Sequence, residues 1–369
     1  MIKKIRVGIL FGGQSAEHEV SLQSARSIIE NIDIQKYEPI PIGIDKQGSW
    51  FFLSVKQFLL LFEKEKLPAF KGREGYQPPA GIQAKDIFFS PCVLREGLDV
   101  IFPALHGPFG EDGTVQGLVH LANLPCVGTG VLGSALCMDK GVVKRLLRDA
   151  KLPTPRFSCL KLHDSIKPQE IIREIGLPLF VKPANLGSSV GISKVHQVEE
   201  LLSAIQEAFE YDEKVLVEEF IDGQEIECSV LGNRNPIASL PGEIIPQHEF
   251  YSYEAKYLDE GGAIFKLPAA LDSQTVKQVQ DLAIQAFLLL ECEGMARVDF
   301  FLKRDGKLFL NELNTIPGFT TISLYPKLWE LSGIPYSELI DRLIQLALER
   351  HKRKKGLKTD VRVASCASH

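Results

Sequence analysis

The segment from Ala296 to Asn314 concentrates residues able to do chemistry. Asp305-Gly306 reads as a two-residue hairpin turn between two strands. That turn predicts a register in which Asp299 faces Glu312, Arg297 faces Asn314 and Phe301 faces Leu310. Side chains alternate along a strand, so these residues share one partly buried face. Two opposed carboxylates on such a face repel and require a positive charge between them. Arg297 is one candidate. A hard cation is the other, because two carboxylates and an amide oxygen form the all-oxygen set that Mg²⁺ uses when it also holds substrate phosphates.

Three further segments could meet a ligand. Asn185 to Gly191 is a Gly/Ser loop between two strands, and Lys182 lies just before it. Its backbone amides and hydroxyls suit phosphate oxygens, although a plain surface hairpin has the same composition. The acidic strand end from Glu218 to Glu225 can read an adenine edge and a ribose, or simply be solvated. At the start, a strand runs into Gly12-Gly13 and then a helix, with Glu17 at the junction. An acid there suits a ligand ammonium, the alternative being helix capping by Ser15 with Glu17 favoured by the dipole.

The elements that position these residues alternate between strand and helix, which predicts an α/β or α+β chain. Expected strands are Ile5–Phe11, Glu38–Ile44, Leu98–Ala104, Phe157–Leu160, Leu179–Pro183, Val190–Val195 and Val215–Phe220. Expected helices include Val20–Ile32, Thr114–Asn123, Asp139–Ala150, Pro168–Ile175, Val198–Phe209, Ser273–Leu290 and Tyr336–Arg350. Gln47 to Gly97 reads as an insertion or an excursion from the sheet. The tail from His351, with Lys352, Arg353, Lys354 and Lys355, is expected to be solvated.

With 369 residues, two or three domains are expected. A net charge of −5 gives no global invitation to nucleic acid or an anionic membrane. No apolar run approaches the ~20 residues of a membrane helix. Lys3, Lys4 and Arg6 precede an apolar stretch, but Val7 to Phe11 is too short for a signal peptide and reads as a buried strand. Seven cysteines without a Cys-x-x-Cys pair point to a reducing cytoplasm and small buried side chains. Gly128, Gly130 and Gly133 match a dinucleotide-binding pattern, yet only Cys126-Val127 precedes them as strand. Gly187, Ser189 and Gly191 match a hydrolase nucleophile elbow, but strand-like sequence follows where a helix is required.

Read together, six ordered motifs resemble the D-alanine:D-alanine ligase family of the ATP-grasp superfamily. They are Gly12-Gly-Gln-Ser-Ala-Glu-His-Glu-Val-Ser-Leu22, Ala104-Leu-His-Gly-Pro-Phe-Gly-Glu-Asp-Gly-Thr-Val-Gln-Gly117, Met138-Asp-Lys140, Lys182-Pro183 with Gly187-Ser-Ser-Val-Gly191, Tyr253-Glu-Ala-Lys-Tyr257, and Asn311-Glu-Leu-Asn-Thr-Ile-Pro-Gly318. The resemblance implies a three-domain ATP-grasp architecture, α/β with α+β in the ATP-grasp part, and ATP between the central and C-terminal domains. Expected boundaries are 1–137, 138–222 and 223–350, followed by a basic tail at 351–369. The implied activity is ATP-dependent ligation of two D-alanines through an acylphosphate, for peptidoglycan synthesis in the cytoplasm, by a homodimer. A D-alanine:D-lactate ligase and a non-catalytic nucleotide-binding protein are the rivals. Tyr257 argues against the first, because D-lactate-using relatives lack this lid sequence, and the intact Lys182, Arg297, Asp299, Glu312 and Asn314 argue against the second.

The resemblance also implies roles. Lys140, Lys182 and the loop of Gly187, Ser188 and Ser189 would hold ATP phosphates. Glu218, Glu219, Phe220 and Ile221 would line the adenine, with Glu225 on the ribose and Phe301 at the nucleotide. Asp299, Glu312 and Asn314 would bind two Mg²⁺ or Mn²⁺ ions. Glu17 would take the first D-alanine's ammonium, with His106 near its carboxylate. Arg297 and the Gly318 N–H would stabilise the oxyanion. Ser323 and Leu324 would bind the second carboxylate. Glu17, Ser188 and Tyr257 would latch a lid whose Lys256 reaches the transferred phosphate.

Overall fold

A computed structural model describes residues 3–62, 91–187, 190–246 and 263–358. The chain begins with β1 (Ile5–Gly12), α1 (His18–Asn31), β2 (Tyr37–Ile44), β3 (Trp50–Phe52), α2 (Val55–Leu60), α3 (Pro91–Gly97), β4 (Val100–Pro103) and α4 (Thr114–Leu121). The sheet order is β3-β2-β1-β4, parallel except for β3. Alternating residues of β1 feed two cores: Val7, Ile9 and Phe11 pack with α1, whereas Leu10 packs with Val115 and Val119 of α4. The carboxyl ends of β1 and β4 are neighbours, the usual place for a ligand in such a sheet. Ser21 joins them, accepting from the Gly12 N–H and donating to the Ala104 carbonyl. Gly12 has φ +89°, and a Cβ there would lie 2.2 Å from the Ile44 carbonyl oxygen, so the turn demands glycine.

Two short helices follow, α5 (Val131–Met138) and α6 (Lys140–Asp149). Asp139 separates them and caps α6 by accepting from the Val142 N–H at 2.9 Å. The central part comprises β5 (Phe157–Lys161), α7 (Pro168–Ile175), β6 (Leu179–Pro183), β7 (Ser193–Val195), α8 (Leu201–Phe209) and β8 (Lys214–Glu219). Its antiparallel sheet, β5-β8-β6-β7, closes a core of its own under α7 and α8.

The last part contains β9 (Gly223–Gly232), β10 (Ile237–Ala238), β11 (Gly242–Pro246), β12 (Ala263–Lys266), α9 (Ser273–Leu289), β13 (Gly294–Lys303), β14 (Leu308–Asn314), α10 (Leu324–Leu331) and α11 (Tyr336–Lys355). The antiparallel order is β12-β11-β9-β13-β14, with β10 on β9. One face is apolar: Ile226, Cys228, Val230, Ala296, Val298, Phe300 and Leu310 pack on α6 and α9. The other face is polar and carries Glu227, Arg297, Asp299, Glu312 and Asn314.

Three expectations need correction. The hairpin loop has three residues, not two. Lys303 and Lys307 close it, Lys303 N–H to Lys307 O at 2.9 Å, and Gly306 takes φ +82° as a left-handed loop end does. Phe301 therefore faces Phe309 rather than Leu310. A register shift beside Asp299 then leaves Asn311 as an extra residue, and this bulge restores the pairing of Asp299 with Glu312 and Arg297 with Asn314. Part of the 47–97 excursion belongs to the sheet: β3 pairs with β2, and Phe51 and Phe58 pack against Phe11 at centroid distances of 6.2 and 4.7 Å.

The start of the basic tail is also not a solvated tail. Helix α11 continues to Lys355, and Arg350 is buried, donating to the carbonyls of Cys126 and Gly128. Arg353 pairs with Glu293, and Lys354 lies 3.7 Å from the same carboxylate. The helical period of α11, with Leu343, Ala347 and Arg350 on the inner side, explains the docking. Arg350→Met strips the donor from two buried carbonyls. We expect a loss of about 2–3 kcal/mol, read as a lower urea midpoint at unchanged slope.

Candidate active site

Two loops at adjacent strand ends bring the first group of residues together. Glu17 directly precedes α1, and Ser15 Oγ accepts from its N–H at 3.1 Å. The Glu17 side chain makes no capping bond to the helix. Its carboxylate faces two glycines: a Cβ at Gly107 or Gly187 would lie 3.2 or 3.3 Å from Glu17 Oε2. The Gly/Ser loop after β6 thus reaches the turn after β1. Ser188, Ser189, Lys256 and Tyr257 lie outside the described residues.

His106 follows β4 and is buried. Its Nδ1 donates to the Ile316 carbonyl at 3.0 Å, and its Nε2 lies 3.0 Å from Ser24 Oγ, which accepts from the Phe319 N–H at 3.1 Å. His106 thereby fastens the end of β4 to the loop after β14. Glu111 Oε1 lies 3.6 Å from Nδ1. Burial alone would lower the imidazole pKa, but Glu111 and Glu17 outweigh it and raise it. Burial, with Glu17 adding to it, raises the Glu111 carboxyl.

The polar face of the C-terminal sheet supplies the second group. Glu227 on β9, Asp299 on β13 and Glu312 on β14 stand in register across three adjacent strands. Arg297 binds Asp299 in bidentate fashion, Nε to Oδ1 at 2.8 Å and Nη2 to Oδ2 at 2.7 Å, and its Nε lies 3.0 Å from Glu227. Burial works against the guanidinium charge, but Asp299 and Glu227 raise its pKa well above the ordinary value. Lys140 Nζ lies 3.5 Å from Glu312 and donates to the Leu186 carbonyl at 2.6 Å. Asn314 Oδ1 accepts from the Ile316 N–H at 3.2 Å. Among the described residues no group of three or more His, Cys, Asp or Glu could hold a metal, so a cation here would rely on Asp299 and Glu312 with the Asn314 amide.

A cavity of about 1000 Å³ joins both groups. Glu17, His106, Lys140 and Gly187 line it from one side, and Arg297, Glu312 and Asn314 from the sheet. Gly318, Ser323 and Leu324 complete the wall, with Ser323 at the N-cap of α10, where backbone N–H groups favour an anion. A Cβ at Gly318 would approach Ser323 Oγ to 2.6 Å. The remaining predicted residues are elsewhere. Asp299 sits beside Arg297 without lining the cavity. Lys182 is buried and paired with Glu218, and Glu219 pairs with Arg156 at 3.0 Å. Phe220 packs on Phe180 at 5.8 Å under Lys194, Ile221 is buried, and Glu225 pairs with Phe301 across β9 and β13.

The structure adds Glu111, Glu227, Ser24 and Lys144 to the residues anticipated from sequence. Glu111 lies within the Ala104–Gly117 motif, five residues after His106. Glu227 is two residues after Glu225 and so on the same face, a signal that becomes legible only with the β9–β13 register.

Known proteins show the same arrangement. A family model described as D-ala D-ala ligase N-terminus matches residues 6–129, and one described as D-ala D-ala ligase C-terminus matches residues 146–345. A D-alanine–D-alanine ligase of Oceanobacillus iheyensis is 52% identical over 360 residues, covering 96% of this chain and 98% of the relative. The solved D-alanine-D-alanine ligase from Coxiella burnetii superposes with TM-score 0.80 at 40% identity, covering 95% of this chain and 96% of that one. The VanG D-Ala:D-Ser ligase from Enterococcus faecalis superposes with TM-score 0.79 at 36% identity, covering 94% of this chain and 100% of that one. Two family models in order and a relative of more than half identity along nearly the whole length place this chain in the D-alanine–D-alanine ligase family, with its ATP-grasp fold.

Proposed function

We propose that the chain joins two D-alanine molecules to D-alanyl-D-alanine at the expense of ATP, for the peptidoglycan precursor. The observation that carries this reading is the cavity in which Glu17, Arg297 and the N-terminus of α10 converge. It offers a carboxylate for an ammonium, a guanidinium for developing negative charge, and a helix end for a second carboxylate.

In this reading Glu17 holds the ammonium of the first D-alanine and His106 orients its carboxylate. A carboxylate oxygen attacks the γ-phosphorus of ATP and ADP departs, leaving an acylphosphate. The second D-alanine, held by its carboxylate at Ser323 and Leu324, attacks the acyl carbon through its amine. Arg297 and the Gly318 N–H receive the oxyanion, and phosphate leaves. Lys140, Lys182 and Gly187 to Ser189 hold the triphosphate, while Glu218 to Ile221, Glu225 and Phe301 frame the nucleoside. Lys256 and the latch of Glu17, Ser188 and Tyr257 exclude water. Asp299, Glu312 and Asn314 fit a hard cation, being oxygen donors on one face whose carboxylates are matched by Arg297 and Lys140; Mg²⁺ or Mn²⁺ ions bound there neutralise the triphosphate charge. The units 1–137, 138–222 and 223–350 are proposed as domains, in a cytoplasmic homodimer. No described helix is long and apolar enough to cross a membrane.

Phosphate release with ATP and Mg²⁺ against D-alanine, D-serine, D-lactate and L-alanine tests the reading. Release and dipeptide formation with D-alanine alone support it. Preference for D-lactate or D-serine as second substrate moves the chain to another ligase, and no release with any acid leaves only a nucleotide-binding protein. Glu17→Gln keeps shape and removes charge. It should raise the KM of the first D-alanine about tenfold or more and leave that of ATP within about twofold; an unchanged D-alanine KM removes Glu17 from the pocket. The two opposed carboxylates should separate in stability. Asp299→Asn costs the free chain about 1–2 kcal/mol because Arg297 keeps only Glu227. Glu312→Gln, whose partner Lys140 is 3.5 Å away, should leave the melting temperature nearly unchanged but abolish the extra stabilisation that Mg²⁺ adds to ADP.

A further inference from the structure

Lys144 lies one helical turn beyond Lys140 on α6, yet its side chain is fully buried and does not line the cavity. Its Nζ pairs with Glu218 Oε1 on β8 and lies 3.4 Å from the Leu310 carbonyl on β14. The other oxygen, Glu218 Oε2, pairs with Lys182. One buried carboxylate therefore serves two buried ammonium groups. Burial pulls Lys144 down to about 8, and the two lysines keep Glu218 below the usual carboxylate range although burial opposes them. Folding alone needs one lysine to match one carboxylate, and a second buried cation only adds desolvation cost. The arrangement makes sense if one of the two lysines has to leave.

We propose that Lys144 is a positioning residue for ATP: it retains Glu218 so that Lys182 can exchange the carboxylate for a phosphate oxygen. The inference rests on the reading that Lys182 binds phosphate. With Lys144 present, Glu218 keeps a counter-charge when Lys182 departs. Without Lys144, departure of Lys182 strands a buried carboxylate, so Lys182 stays and the phosphate loses its cation. Lys144 itself touches neither nucleotide nor D-alanine. Its neighbour Lys140 faces Glu312 and the cavity, so successive turns of one helix serve the phosphate directly and indirectly.

Calorimetric titration with MgATP in the absence of D-alanine reads this directly. Lys144→Met should weaken MgATP binding about tenfold or more while the D-alanine KM stays within about twofold. Adding Glu218→Gln to Lys144→Met releases Lys182 and should restore most of the lost affinity, which a purely structural residue would not do. Lys182→Met separates the two claims. If Lys182→Met leaves MgATP affinity unchanged, the underlying reading of Lys182 fails. If Lys182→Met weakens binding but Lys144→Met does not, or the double variant restores nothing, the positioning role fails. Lys144→Gln, which keeps a donor toward Leu310, is the second variant. If both single variants fail to fold while the double variant folds, Lys144 is needed for folding and the proposal is overturned.

Discussion

The polar face of the C-terminal sheet is organised by electrostatic necessity. Glu227, Asp299 and Glu312 stand side by side on three hydrogen-bonded strands, where carboxylates at that spacing repel. The sheet is tenable because Arg297 sits among them and Lys140 reaches in from α6. Much else follows from that balance. Helix α6 must begin at Lys140, which Asp139 secures by capping it, and the loop after β6 must pass close enough for the Leu186 carbonyl to accept from the same lysine.

The same balance is what substrates would exploit. Arg297, Lys140 and Lys182 each rest on a carboxylate. An incoming polyanion accompanied by hard cations permits these pairs to be exchanged together, cations to phosphate and carboxylates to metal. Such an exchange keeps the number of opposed charges nearly constant, which lowers the cost of desolvation at each stage. It also favours binding nucleotide and metal as a unit, since either alone leaves one sign unmatched.

Much of this was legible in the sequence, though not always for the right reason. The strand, turn and helix signals at Ile5 to Asn31 and the facing pair Asp299 and Glu312 were readable from local pattern. The pairing was nevertheless reached through a loop one residue too short, and the Asn311 bulge compensated for it. A bulge leaves no unambiguous mark in a single sequence, because it depends on the partner strand. Glu227 was hidden for the same reason, its neighbour lying seventy residues away on another strand. Lys144 resembles any lysine on an amphipathic helix until β8 is seen to cover it. Arg350 was read with the charged run after it, although its helical position places it inside.

The apolar cores are shared unequally among the three sheets. Residues of β1 and β4 pack in one cluster with Leu231 and Met295 of the C-terminal sheet, through α1 and α11. The central sheet instead encloses its apolar residues beneath α7 and α8. Its described ties to α6 are polar: the Lys140 N–H to the Ala184 carbonyl at 3.0 Å, Lys214 to Asp139, and Lys144 to Glu218. Turning the central sheet as a body would therefore break hydrogen bonds that water can replace, but would not open an oily seam. The chain thus consists of two cooperative units of unequal strength, and a ligand bridging them lends the weaker one part of the stability of the stronger.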